Sequence, residues 1–138
     1  MGNKFRALVA GGALPGLAVP AVAHHGFDTE YDRSKKVSLT GVVSKLEWTN
    51  PHAHIYIDVK DAKSGKVTTW NLELTSPNVL RRRGWSPHDI AAGDNVVFEA
   101  FGGKAVMEIG NLGRLAKAAT PDKAIFSGDA PGLSQPAK

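Results

Sequence analysis

Two short stretches of this chain alternate apolar and polar residues strictly enough to dictate their structure. Ile55, Ile57 and Val59 interleave with His54, Tyr56 and Asp58, and Trp70, Leu72 and Leu74 interleave with Thr69, Asn71 and Glu73. A period of two sends successive side chains to opposite faces of a strand, so each stretch has one core face and one outward face. Turn formers, Asp61-Ala62-Lys63-Ser64-Gly65-Lys66, separate them, and the pair reads as a β-hairpin. Parity then limits the register. Apolar must face apolar, so odd-numbered residues of the first strand share a face with even-numbered residues of the second. A loop of this length sets His54 opposite Glu73, Tyr56 opposite Asn71 and Asp58 opposite Thr69, all on the outward face. A slip by two residues would keep the faces and break these pairs.

The rest of the chain extends a β-rich pattern around this hairpin. From Val37 to Trp48 the apolar positions change from odd (Val37, Leu39) to even (Val42, Leu46, Trp48) around Gly41, which predicts a bent strand with its bulge at that glycine. Ser76-Pro77 supplies a hydroxyl N-cap and a proline at the first helical position; Asn78 to Arg83 continues a short helix and Gly84 ends it. Ser86-Pro87 repeats that grammar in a short turn running to about Ala92. Gly93-Asp94 opens a strand from Asn95 to Phe101, a Gly102-Gly103 turn follows, and a last strand region, Ala105 to Leu115, is interrupted by Gly110 and Gly113. Three strands, one short helix and two strands give the order of an all-β, five-stranded Greek-key barrel of the OB type. A roll or sandwich of the same strands is the alternative.

The ends of the chain read differently. Residues 1–23 have the three parts of a secretory signal peptide: Lys4 and Arg6, the apolar run Ala7 to Val19, and the small-x-small site Ala21-Val22-Ala23. The run is shorter than the roughly 20 apolar residues of a spanning helix and contains Gly11, Gly12, Pro15 and Gly16, so a cleaved leader is expected rather than an anchor. Export predicts a periplasmic protein whose mature chain begins His24-His25, with no membrane attachment after cleavage. Residues 24–36 form an irregular arm that Phe27 and Tyr31 can dock, residues 37–119 form the barrel domain, and residues 120–138, with Pro121, Pro131 and Pro136, form a flexible tail. Within that tail Ala124-Ile125-Phe126 can add a short edge contact. The chain has no cysteine, so neither disulfides nor thiolate chemistry contributes. Its net charge of +4 falls to about +2 once Lys4 and Arg6 leave, and its basic residues are not interleaved with exposed aromatics, which argues against nucleic acid as a partner.

Several short motifs recur together here: Ala23-His24-His25-Gly26-Phe27 with Tyr31-Asp32, Leu39-Thr40-Gly41-Val42-Val43, Glu47-Trp48-Thr49-Asn50-Pro51-His52, Ser76-Pro77-Asn78, Arg82-Arg83-Gly84-Trp85 and Gly93-Asp94. In combination they resemble a family of small exported bacterial proteins of unknown function, over roughly residues 24 to 115. The resemblance implies a periplasmic, OB-like, non-enzymatic protein and carries no activity with it. His54 stands where the resemblance leads one to expect an aromatic or hydrophobic residue.

The histidines are the candidate chemistry. A terminal His24 offers an α-amine and an imidazole nitrogen in one chelate ring, a donor pair suited to Cu(II), and both can lose their protons to a metal near neutral pH. His25 offers a variant through its own amide and ring. Two histidines after a cleavage site can equally be a polar, cuttable start. His52 and His54, at i and i+2, project from one face, and Glu73 across the hairpin is placed to ligate or to orient a ring. Against this, His52 can simply fill the Asn50-Pro51 corner, and His54 can be a solvated strand residue facing Glu73. The joined reading brings His24, His52 and His54 to one Cu(II), with Asp28, Glu30 or Glu73 nearby. Tyr56, Asn71 and Trp85 are candidates for a ligand face. Trp70 is expected in the core, His88 in solvent, and Arg81-Arg82-Arg83 on a solvated face at the helix end.

Three classes of function remain: a non-enzymatic periplasmic binding protein with a Cu(II) site, an adaptor or ligand-binding barrel without metal that engages a periplasmic protein or a small ligand, and, last, a metal-dependent redox enzyme. Catalysis without metal has little support. The sequence has no Gly-x-Ser-x-Gly, no cysteine and no glycine-rich phosphate loop, and fold alone does not warrant an activity.

Overall fold

The computed structural model describes residues 26–128. They form two short helices and six strands: α1 (Phe27–Glu30), β1 (Tyr31–Glu47), β2 (His54–Lys60), β3 (Val67–Glu73), α2 (Pro77–Arg82), β4 (Asn95–Gly103), β5 (Ile109–Lys117) and β6 (Ala124–Ser127). The leader read into residues 1–23, the pair His24-His25 and the tail beyond Gly128 lie outside the described residues. Among the described residues no helix is long and apolar enough to cross a membrane.

The described residues are all-β apart from the two short helices. The strands follow the order β3-β2-β1-β4-β5-β6, and β3 also pairs with β5. That last pairing is parallel, from Asn71 opposite Ile109 to Glu73 opposite Asn111; the others are antiparallel. The β2–β3 hairpin has the register that parity and loop length dictate, with His54 opposite Glu73, Tyr56 opposite Asn71 and Asp58 opposite Thr69. Its core face is closed to water: Ile55, Ile57, Trp70, Leu72 and Leu74 are buried together with Val43, Leu80, Val96, Phe98 and Leu115. Fully burying a side chain of this size stabilises the fold by about 1.5–3 kcal/mol, and the apolar alternation is therefore what holds the register.

The first strand differs from expectation in two ways. It starts at Tyr31 rather than Val37, taking in residues 31–36 of the expected arm, because Tyr31 pairs with Gly103 and packs with Phe101. For the same reason β4 runs on through Gly102 and Gly103, where a turn was expected. The bulge against β2 falls between Val43 and Lys45, not at Gly41. The adjacent valines explain the error: Val43 is 1 % exposed and Val42 41 %, so the parity change comes after Val43. Gly41 answers a different need. A methyl group there would lie 2.6 Å from the Asp58 carbonyl oxygen and from Cγ2 of Ile57, so the close passage of β2 requires glycine.

The helix α2 forms as its caps predict. Ser76 Oγ accepts a hydrogen bond from the Val79 amide at 3.4 Å, Pro77 opens the first turn, and Gly84, at φ +83°, ends it. Leu80 on its inner face is fully buried.

The five strands expected from the sequence are six. Ala124–Ser127, assigned to the flexible tail, pairs with β5 through Leu115 opposite Phe126 and Ala116 opposite Ala124. Phe126 is buried against the Trp85 ring at 5.6 Å, and with Ile125 packed on the same core it fixes a segment with too few apolar residues to show a period. Phe126→Ala should destabilise the protein by about 3–5 kcal/mol in equilibrium denaturation, the cost of emptying an aromatic core site. A change under about 0.5 kcal/mol would mean that this segment stays undocked in solution.

Candidate functional site

The corner between β1 and β2 turns at Asn50–Pro51, a cis peptide bond, and places His52 just before the hairpin and His54 at its first position. Ala53, between them, is fully buried and exchanges backbone hydrogen bonds with Leu74 and Thr75, which seats the corner on the end of β3. His52 and His54 consequently line one cleft of about 500 Å³. Phe27, Glu30 and Tyr31 wall it from the arm, Glu47 to Pro51 contribute residues from the corner, and Glu73 and Asn111 come from β3 and β5.

Glu73 is the hub of this cleft. Its side chain is 15 % exposed, and both carboxylate oxygens are engaged: the Tyr31 hydroxyl donates to Oε2, and His52 Nδ1 meets Oε1. An ionised carboxylate only accepts, so both partners present hydrogens to it. Burial, and then the hydrogen bond to Glu73, pushes the Tyr31 phenol well above the ordinary tyrosine range. His54 does not bond to its cross-strand neighbour Glu73. Its Nδ1 lies 2.9 Å from Oδ1 of Asn71, the diagonal residue on the same face.

A second small network lies on the outward face of the hairpin. The Tyr56 hydroxyl donates to Glu47 Oε2 at 3.1 Å, and Lys45 Nζ pairs with the other oxygen of Glu47 and sits 5.3 Å above the Tyr56 ring. Hydrogen bonds from Lys45 and then Tyr56 hold the Glu47 carboxyl below its usual range. Burial, then the bond to Glu47, raises Tyr56.

Of the residues singled out in the sequence, the structure brings His52, His54 and Glu73 into one cleft. Tyr56 and Asn71 support it from behind, each bonded to a residue that lines it. Trp85 leaves the ligand-face set: at 4 % exposure it packs between Trp48 and Phe126, with ring centroids 5.4 and 5.6 Å away. Trp70 is in the core and His88 is exposed, as expected. Arg81, Arg82 and Arg83 are exposed, with the Arg81 guanidinium 5.9 Å from the Trp48 ring. His24 and His25 lie outside the described residues, immediately before Gly26. Phe27 and Tyr31 dock the arm, the Phe27 ring lying 5.4 Å from those of Tyr31 and Phe101.

The sequence reading missed Tyr31 as a partner of Glu73 and Asn71 as the partner of His54. Nothing in a periodicity marks the first. The second was available from the register, because residues diagonal on one face lie within reach of a long side chain.

These features define, over the described residues, an all-β, six-stranded sheet with a histidine-bearing cleft at one corner. The chain belongs to a family of unknown function (DUF6152), which matches residues 13–112, from within the predicted leader to β5. No curated protein and no solved structure matches it.

The Tyr31 shift has a direct consequence for stability. A tyrosine raised in the folded state stabilises fully below its unfolded value, near pH 10, and that contribution is lost as pH rises beyond it. The urea midpoint should therefore fall above about pH 10, and Tyr31→Phe should show a smaller fall, keeping the parts due to Tyr56 and Lys45, which are also raised in the folded state. Parallel curves for the two proteins would remove Tyr31 from this role.

Proposed function

We propose that this is an exported, periplasmic binding protein, non-enzymatic in character, that takes up Cu(II) with the mature N-terminus His24 and the Asn-Pro-His corner. The observation that carries this reading is that Phe27 and His52 line the same cleft. His24 is three residues before Phe27, a reach of about 10 Å at roughly 3.3–3.6 Å per extended residue. Its amine and ring can therefore enter a cleft that already holds two imidazoles. Among the described residues no group of three or more His, Cys, Asp or Glu side chains is placed to hold a metal ion. A metal site in this cleft would draw further donors from outside the described residues, and His24, with His25 beside it, is the source this reading names. A set of amine and imidazole nitrogens suits Cu(II), the strongest binder among the first-row divalent ions, far better than Mg²⁺ or Ca²⁺.

The fold proposed for this function is an OB-like barrel carrying β6 as an added strand. The pairings β1–β2, β2–β3, β3–β5, β5–β4 and β4–β1 support it, because they give each of the first five strands two neighbours. A second reading, a metal-free adaptor or ligand-binding barrel, draws on the cleft volume of about 500 Å³, within the range of small-molecule sites.

Calorimetric titration with Cu(II) separates the two readings. Protein with an N-terminus shown by mass spectrometry to be His24 should bind one Cu(II) tightly, and the same protein with one extra residue before His24 should bind at least about 100-fold more weakly. Equal affinity of the two proteins would rule out the amine as a ligand.

A further inference from the structure

We propose that the open edge of β3 pairs two copies of this chain, antiparallel about a twofold axis at Thr68, into one continuous sheet. β2 covers one edge of β3 along its whole length, whereas β5 covers the other only from Asn71 to Glu73. Two hydrogen bonds fix the backbone directions. Asp61 N–H donates to the Lys66 carbonyl at 2.8 Å across the hairpin, and Asn71 N–H donates outward to the Glu108 carbonyl at 2.9 Å. Alternate residues of a strand turn their N–H and C=O groups to the same edge, so those of Val67 and Thr69 point outward as those of Asn71 do. No backbone hydrogen bond among the described residues reaches them. The other open edges are blunted in the ways that stop strands from adding: the part of β1 before Val42, which β2 does not reach, carries Arg33, Lys35 and Lys36, and β6 has only 4 residues. Val67-Thr68-Thr69-Trp70 has no charge, proline or glycine, and its first three residues are β-branched.

The occupant is a second copy because this edge is complementary to itself. With Val67 opposite the partner's Thr69, and Thr69 opposite the partner's Val67, every outward N–H and C=O of both strands finds a partner. β3 begins at Val67, straight out of the turn, so the partner strand leaves the edge before Asn71, where β5 is already paired. Charge follows the same symmetry. Lys66 stands at one end of the open edge, and Glu108, held there by Asn71 N–H, stands at the other. Neither side chain has a partner among the described residues. In this register the partner's Lys66 arrives beside Glu108, and the contact is made twice. On the outward face the row across the joined hairpins reads Asp58, Thr69, the partner's Val67 and the partner's Lys60, so no like charges meet. His54 and Glu73 are at the far end of the hairpin, and both clefts stay open.

Sedimentation velocity from about 10 μM to about 1 mM reads the association, since a small strand-to-strand interface gives a weak, concentration-dependent dimer. The protein should pass from monomer to dimer over that range. Amide hydrogen exchange on the same samples locates the contact without any variant: Val67 and Thr69 should gain protection as the dimer forms. Val67→Pro removes an outward N–H and no hairpin bond, and it should abolish the dimer. Glu108→Lys should weaken association about 10-fold, because the lost ion pair occurs twice, and adding Lys66→Glu should restore most of it. A monomer at every concentration would overturn the proposal and leave the edge to an extended segment of another protein. So would a dimer in which the Val67 and Thr69 amides exchange as freely as in the monomer, a result that stands even if Val67→Pro fails to fold.

Discussion

The Glu73 carboxylate is the contact on which the corner of this molecule depends. It receives the hydroxyl of Tyr31, 42 residues away in sequence, and the ring of His52 from the turn beside it. A carboxylate this far from water is costly unless its charge is met by hydrogen bonds or an opposite charge, and these two donors meet it. In doing so they join the arm, the cis-proline corner and the hairpin into one wall. The arm then packs Phe27 on Tyr31 and Phe101, and β4 lengthens to accompany it.

The parts of the fold legible in the sequence are those where burial acts on one face of a regular element. Ile55, Ile57, Trp70 and Leu72 announced both strands of the hairpin and, through parity, their register. Ser76, Pro77 and Gly84 announced α2, because capping is a local transaction between a side chain and the next turn. Where two apolar residues adjoin, as at Val42-Val43, the pattern has no parity to read, and the bulge was placed at Gly41 instead of after Val43. β6 was illegible for another reason. Its buried anchor, Phe126, has meaning only beside Trp85, and that neighbourhood is created by the fold.

The site shows the same division. His52, His54 and Glu73 were legible as a group because an i, i+2 pair and a cross-strand partner follow from strand geometry. Which nitrogen each ring engages was not, since it depends on how the corner seats Ala53 on the end of β3 and on Asn71 lying diagonal to His54. Trp85 was a candidate for the ligand face; the packing of Trp48 and Phe126 on its two sides makes it core, a neighbourhood that no local pattern announces. The family match covers most of the chain and supplies no activity, so the functional argument rests on the cleft itself.

That argument turns on where a metal would sit. Anomalous diffraction at the copper edge, from crystals of the protein beginning at His24 and grown with one equivalent of Cu(II), locates it directly. The account predicts a single peak in the cleft, about 2.0 Å from a ring nitrogen of His52 and from the nitrogens of His24. No peak between the arm and the corner would contradict it.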